Sequence, residues 1–219
     1  MANLKEVRLR ITSVNSTQQI TKAMKMVSAA KLRRAQNAIT QLRPYANKLR
    51  DILENLSSSL EENDGSKFAQ VRPLSNVLII AVSSNRGLAG AFNSNIIRTV
   101  NRLLADEYAG LVTTGNVKVL CIGKKGSDFY KKNKNVYLGH HNNIFAELNF
   151  ANVSAIAEGI MDDFATAKYD RVIVVYNQFK NAATQIVQTE QFLPLAPIKS
   201  DKPVSTGDYI FEPSKEEIV

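Results

Sequence analysis

The first sixty residues contain no glycine and a single proline, Pro44. That scarcity of helix breakers constrains this chain more than any other feature, because the same stretch carries an apolar seam at coiled-coil spacing. Alternating steps of three and four from Leu4 meet Leu4, Val7, Ile11, Val14, Gln18, Thr21, Lys25, Ser28, Leu32, Ala35, Ile39, Leu42, Ala46, Leu49, Leu53, Leu56 and Leu60. Thirteen of these seventeen positions are apolar, and the four exceptions are consecutive. Within that gap the apolar residues move by one register, to Ile20, Met24 and Val27. A seam that holds, slips and recovers predicts one long helix with a local change of supercoil. Such a helix runs about 85–90 Å at 1.5 Å per residue. Pro44 predicts a bend rather than a stop, since the spacing continues beyond it. No small globule buries a rod of that length, so most of it must meet something else.

Charge marks the same stretch. Residues 1–60 hold eleven basic side chains (Lys5, Arg8, Arg10, Lys22, Lys25, Lys31, Arg33, Arg34, Arg43, Lys48, Arg50) against Glu6, Asp51 and Glu54. The difference equals the net charge of the whole chain, +8, so residues 61–219 balance. The expectation is a positively charged rod and a neutral domain. A strongly basic balance suits nucleic acid, an anionic membrane surface or an acidic protein partner alike. With 44% apolar residues the chain is not disordered in composition. It holds no apolar run near the length of a membrane-spanning helix, and its start lacks a signal-peptide core and reads as mature. A lone cysteine, Cys121, excludes an internal disulfide and fits a reducing compartment.

Glu61–Pro73 gathers Asn, Asp, Gly, Ser and Pro and reads as a linker, which we extend to residue 75. Val77–Val82 is a continuous β-branched run, the mark of a strand buried on both faces. A glycine-bearing loop, residues 83–95, and a helix to about Tyr108 follow it. Strand, loop and helix is the layout of a phosphate site, but Gly87 and Gly90 give only G-x-x-G, and no Lys-Ser or Lys-Thr follows. Val117–Ile122 is a second strand containing Cys121, read as a small buried thiol rather than a nucleophile. Gly123–Lys134 reads as a turn and a short basic helix. His140 and His141 are adjacent and so diverge on either a strand or a helix, which argues against a metal site. Phe150–Ala167 reads as a helix with Val153, Ile156, Ala157, Ile160, Met161 and Phe164 on one face. Arg171–Phe179 is a third strand, and Thr184–Leu193 its antiparallel return. The expected fold is α/β: a long N-terminal coiled-coil helix (1–60) and a Rossmann-like domain (76–195) with a mostly parallel sheet and an antiparallel edge hairpin. Residues 196–219 are expected as a loop followed by the start of a returning helix.

Three separated segments resemble the gamma chain of F-type ATP synthases, the rotating central shaft. ITKAMKMVSAAKLRRAQ (20–36) is similar to that family's N-terminal signature, and NLKEVRLRITSVNSTQQ (3–19) is similar to its opening. SSNRGLAG (83–90) is similar to a loop of the type S-S-D-R-G-L-C-G. Arg86, Gly87, Leu88 and Gly90 match it, while Asn85 stands where the family carries Asp and Ala89 where it carries Cys. DYIFEP (208–213) resembles the family's D-Y-x-[YF]-E-P segment.

The resemblance implies a non-catalytic subunit of a proton-translocating enzyme that couples rotation of a membrane c-ring to the catalytic beta subunits. It implies beta-subunit contacts at Lys22, Met24, Lys25, Lys31 and Arg86, and a foot against the c-ring at Tyr209, Phe211 and Glu212. Alpha, beta and epsilon subunits (delta in mitochondria) and the c-ring are the implied partners, with no cofactor, metal, nucleic acid or directly bound nucleotide. The implied place is peripheral, on the cytoplasmic side of a bacterial inner membrane or, alternatively, the matrix side of the mitochondrial one. No cysteine pair is present for the thiol switch of chloroplast relatives.

Two other readings lack their chemistry. A nucleotide-dependent α/β enzyme needs a phosphate loop or a catalytic cluster. A nucleic-acid-binding helix needs stacking aromatics, yet no Phe, Tyr or Trp lies between Lys5 and Arg43.

Family members normally continue into a long helix that winds antiparallel around the first, whereas this chain stops at Val219. A shortened chain is the expectation. The isolated protein should then pair its long helix with a second copy or melt it. Sedimentation and far-UV circular dichroism test this, and a monomer with a fully helical arm contradicts it.

Overall fold

The computed structural model describes the backbone of residues 3–59 and 67–195, and the side chains of 3–52 and 67–195. The chain forms two compact units, Met1–Asn55 and Leu56–Val219.

The first unit is helix α1, Leu4–Ser59, 56 residues long. Asn3 starts it: its side-chain oxygen accepts from Lys5 N–H at 3.2 Å, satisfying one of the donors a helix leaves open at its start. Pro44 lies within the helix, which continues past it. The loss of one ladder bond is absorbed because fifteen further residues propagate the helix beyond it. Thr12, Thr17, Thr21 and Thr40 return their hydroxyl protons to carbonyls four residues back. That spends these hydroxyls within the helix. Glu6 and Arg10 pair across one turn at 3.3 Å. The described seam lies open: Leu4, Val7, Ile11, Val14, Leu32, Leu42 and Leu49 are all exposed, as are Ile20, Met24 and Val27. Leu53 and Leu56 lie outside the described side chains, and Leu60 outside the described residues.

The second unit is built on strand β1, Val77–Val82. Helix α2 (Phe92–Arg102) follows and widens into a π turn over Leu103–Glu107, then α3 (Ala109–Thr113). Next come β2 (Val117–Ile122), α4 (Lys124–Tyr130), β3 (Tyr137–His140), a 3₁₀ turn (Asn143–Phe145) and α5 (Phe150–Ala165). A hairpin of β4 (Arg171–Phe179) and β5 (Gln185–Leu193) ends the described part. The strands form one sheet in the order β3-β2-β1-β4-β5. All pairings are parallel except β4 with β5.

Alternation along the strands builds two cores. Val77, Ile79 and Ala81 of β1 join Val117, Val119 and Cys121 of β2 and Ile173 and Val175 of β4 beneath Ile96 and Val100 of α2, Tyr108, and Tyr130 of α4. Leu78 and Ile80 join Leu120, Val172 and Leu193 beneath Ile160 and Phe164 of α5. Covered on both faces, β1 must be apolar throughout, which is why its sequence does not alternate.

The stretch before β1 is fastened to this sheet. Arg72 donates from Nη1 to the Phe164 carbonyl at 2.8 Å, and its guanidinium carbon lies 4.9 Å from the centre of that ring. Buried Asp170 accepts from Ser75 N–H and Asn76 N–H at 2.9 and 2.7 Å. Leu195 N–H donates to Phe68 O, and Phe68 packs on the second core.

Three features differ from the sequence reading. Strand β3 is an additional parallel edge strand, only four residues long, hidden because YLGH carries no apolar run. The helix expected to reach Tyr108 passes through a π turn there. Tyr108 is buried, and its hydroxyl meets Glu107 at 2.6 Å and Arg171 at 3.3 Å. On α5, Val153 is exposed.

Burial raises the Cys121 thiol from 9.0 to about 12, the nearby Lys131 charge opposing only slightly. It raises the phenols of Tyr130, Tyr108 and Tyr169 as well. These groups stay protonated in the fold at pH values where the unfolded chain has released them. Stability is therefore full below about pH 9 and falls as pH rises towards 12. Urea unfolding followed from pH 7 to 11 should show a midpoint that declines only above about pH 9.

Candidate partner-contact sites

Neither unit contains a catalytic constellation among its described residues, so the candidate sites are surfaces. On α1, one hundred degrees per residue places Ile20, Met24, Val27 and Lys31 along one stripe. Lys22, Lys25 and Arg33 fall on the opposite side. Lys22, Met24, Lys25 and Lys31 are all exposed. Between Glu6 and Asp51 the sequence has no acid at all, so these lysines have no neighbour of opposite sign along the helix. Lys31 shares the stripe of exposed Ile20, Met24 and Val27 while Lys22 and Lys25 stand on the other side, so the helix offers an apolar stripe and a positive one. Such a surface accepts partners that offer both carboxylates and apolar contact.

The other candidate is the loop after β1. Ser83 is buried, donates its backbone N–H to Ile122 O at 2.7 Å, and accepts at Oγ from Gly126 N–H at 2.9 Å. Ser84 N–H donates to Asn93 Oδ1 at 2.9 Å, and Ser84 Oγ donates to Arg86 O at 2.6 Å. Asn85 donates from Nδ2 to Asn142 O at 2.8 Å and accepts at Oδ1 from Lys124 N–H at 2.9 Å. Lys125 N–H donates to Ser84 O. The backbone N–H groups of Ser84, Lys124, Lys125 and Gly126 are thus taken by Asn93, Asn85, Ser84 and Ser83. This loop is braced, and it displays what lies at its tip.

At the tip, Arg86 is exposed and Leu88 stands fully in solvent with φ +60°. A left-handed leucine costs about 1–2 kcal/mol. Gly90 follows at φ +56°, and α2 begins two residues later. Sequence reasoning singled out Arg86 and missed the bracing residues Ser83, Asn93 and Gly123. Gly123, at φ +109°, has a signal in hindsight: it directly follows a buried parallel strand, where the β1 loop crosses. A Cβ there would lie 2.1 Å from Ser83 O.

Beyond β3, an open groove of about 520 Å³ is lined by His140, His141, Asn142, Glu147, Asn152 and Ile156, with others. His140 Nδ1 is engaged by the Tyr137 hydroxyl. No group of three His, Cys, Asp or Glu side chains among the described residues could hold a metal ion. No helix among them is long and apolar enough to cross a membrane. Cys121 is buried at the centre of a core, where its thiol is held protonated and unreactive. Tyr209, Phe211 and Glu212 lie outside the described residues.

The family model described as ATP synthase matches residues 3–219. The ATP synthase gamma chain of Flavobacterium psychrophilum is 60% identical over 219 residues, covering all of this chain and 74% of the relative. That of Chlorobaculum tepidum is 41% identical, covering all of this chain and 75% of the relative. This chain thus spans about three quarters of the length of these relatives. Among solved structures, the central stalk and c-ring of Tetrahymena thermophila mitochondrial ATP synthase aligns at TM-score 0.60 with 28% identity, over 80% of this chain and 72% of that one. The rotor of Euglena gracilis mitochondrial ATP synthase aligns at 0.57 with 22% identity, over 84% and 60%, and shares the fold.

Replacing Gly123 by Ala should force the Ser83 loop and the start of α4 apart. Backbone strain alone costs about 1–3 kcal/mol, and the clash adds to it. Thermal unfolding of the full chain measures this, and an unchanged midpoint would show that the two loops do not need their close approach.

Proposed function

The chain belongs to the ATP synthase gamma-chain family, and on that premise we propose how its two surfaces serve the enzyme. It is a non-catalytic gamma subunit, part of the central stalk that couples rotation to conformational cycling of the catalytic subunits. The observation that carries the proposal is α1: one continuous helix of 56 residues, positive along its length and with its apolar seam open.

A helix that long spans about 84 Å and suits transmission of torque, because each residue is tied to its neighbours four positions away. Lys22, Met24, Lys25 and Lys31 of α1, and Arg86 of the loop after β1, are the contacts with the beta subunits. Exposed ion pairs are individually worth about 0–1 kcal/mol. That weakness is a requirement here. A rotor that met any one beta subunit with a strong single bond would stall there. Many weak contacts spread over an asymmetric surface instead favour a different state in each of three beta subunits as the helix turns, which is a coupling of conformational free energies. Alpha and beta subunits, the epsilon subunit (delta in mitochondria) and the c-ring are the partners, with Tyr209, Phe211 and Glu212 forming the foot on the ring. The subunit sits peripherally on the cytoplasmic face of a bacterial inner membrane. The relatives from Flavobacterium and Chlorobaculum support a bacterial setting.

Co-expression with the alpha and beta subunits of such a relative tests the reading. A complex of three alpha, three beta and one copy of this chain should form and hydrolyse ATP faster than alpha and beta alone. Single Lys→Ala changes at 22, 25 or 31 should lower hydrolysis by less than about fivefold each. The triple change should lower it further, and added salt should weaken the intact complex over the range where the screening length falls below about 10 Å. A triple variant as active as the parent would remove these lysines from the contact.

A further inference from the structure

We infer that Asn85 is a positioning residue, whose two hydrogen bonds fasten the Arg86–Leu88 tip both to the start of α4 and to the segment after β3. The inference rests on the reading of Arg86 as a beta-subunit contact. Its basis is an unusual way of capping α4. The residue before that helix is Gly123, which has no side chain to cap with and cannot gain one, because Ser83 O occupies the space of a Cβ. The first amides of α4 would be left without acceptors. The loop after β1 supplies them instead. Ser83 Oγ takes Gly126 N–H, and Asn85 Oδ1 takes Lys124 N–H at 2.9 Å.

Asn85 does a second thing at its other end. Its Nδ2 donates to the Asn142 carbonyl at 2.8 Å. One partner is a donor and the other an acceptor, so the side chain between them must offer both roles. A carboxamide does. A carboxylate at neutral pH offers acceptors only, and would set a negative oxygen against the Asn142 carbonyl. Ser84 then holds the Arg86 carbonyl at 2.6 Å. The Asn85 side chain and the Arg86 carbonyl are thereby tied down, while the Arg86 side chain stays exposed. Held this way, Arg86 and Leu88 meet a partner without first ordering the loop.

Amide hydrogen exchange on the full chain, read with Asn85→Asp and Asn85→Ala, tests the clamp. In Asn85→Asp the Lys124 amide should keep its protection, because the acceptor remains. The Phe92 amide, bonded across the tip to Ala89 O, should exchange about fivefold or more faster, as expected for one lost hydrogen bond. In Asn85→Ala both amides should lose protection. Unchanged exchange at Phe92 in both variants overturns the clamp. Hydrolysis by the assembled alpha–beta complex then separates the two readings. Asn85→Asp should lower hydrolysis when Arg86 is present and add nothing in an Arg86→Ala background. An equal loss in both backgrounds overturns action through Arg86. If Arg86→Ala alone leaves hydrolysis unaltered, the contact reading fails, and exchange alone still decides whether Asn85 clamps the tip.

Discussion

Burial of β1 on both faces is the constraint from which the α/β unit follows. Val77, Ile79 and Ala81 need one layer of cover, and Leu78 and Ile80 need another. Two layers require helices on both sides, and parallel neighbours require crossovers long enough to contain them. With β2 on one side and β4 on the other, β1 takes a central place in the sheet. A central strand cannot slip by a single residue, because a slip would exchange its two buried faces. The loop that leaves its end is therefore launched from the most rigid point of the unit. This explains how a short loop presents a strained, solvent-exposed Leu88 without collapsing it onto the domain.

A second consequence concerns the ends of β1 and β2. Parallel pairing brings Ser83 and Gly123 together, and their closeness removes any side chain from position 123. A helix whose own cap has been forbidden must borrow one, and the β1 loop lends Ser83 and Asn85. Rigid tips and capped helices are usually separate problems. Here the side chain of Asn85 serves both, its Oδ1 the helix and its Nδ2 the segment after β3.

The long helix follows a different logic. Nothing among its described residues neutralises Lys22, Lys25 and Lys31, and its apolar seam is open. Both properties disfavour isolation and favour a surrounding of complementary charge and apolar surface. The Ile20–Met24–Val27 shift places an apolar stripe beside Lys31 and leaves Lys22 and Lys25 on the other side of the helix. The wholly neutral remainder of the chain leaves this electrostatic task to one element.

Much of this was legible in order along the chain. The seam from Leu4 and the scarcity of breakers determined α1, because a helix is specified by local spacing. The apolar run of VLIIAV and the shapes of VKVLCI and RVIVVYNQF determined three strands and their burial, because period and branching are local too. Strand β3 was not legible: YLGH has no pattern of its own and is a strand only because β2 offers it an edge. The π turn before Tyr108 escaped for the same reason, being shaped by where that buried ring and Arg171 meet. Arg86 could be named from its motif, but its support could not. Ser83, Asn85, Asn93 and Gly123 act through partners 9 to 57 residues away. Sequence by itself determined which segments are rod, strand and helix, and where the charge lies. Only the tertiary structure decided which side chains brace the loop after β1, since hydrogen bonds across such distances exist only after parallel strands have brought their ends together.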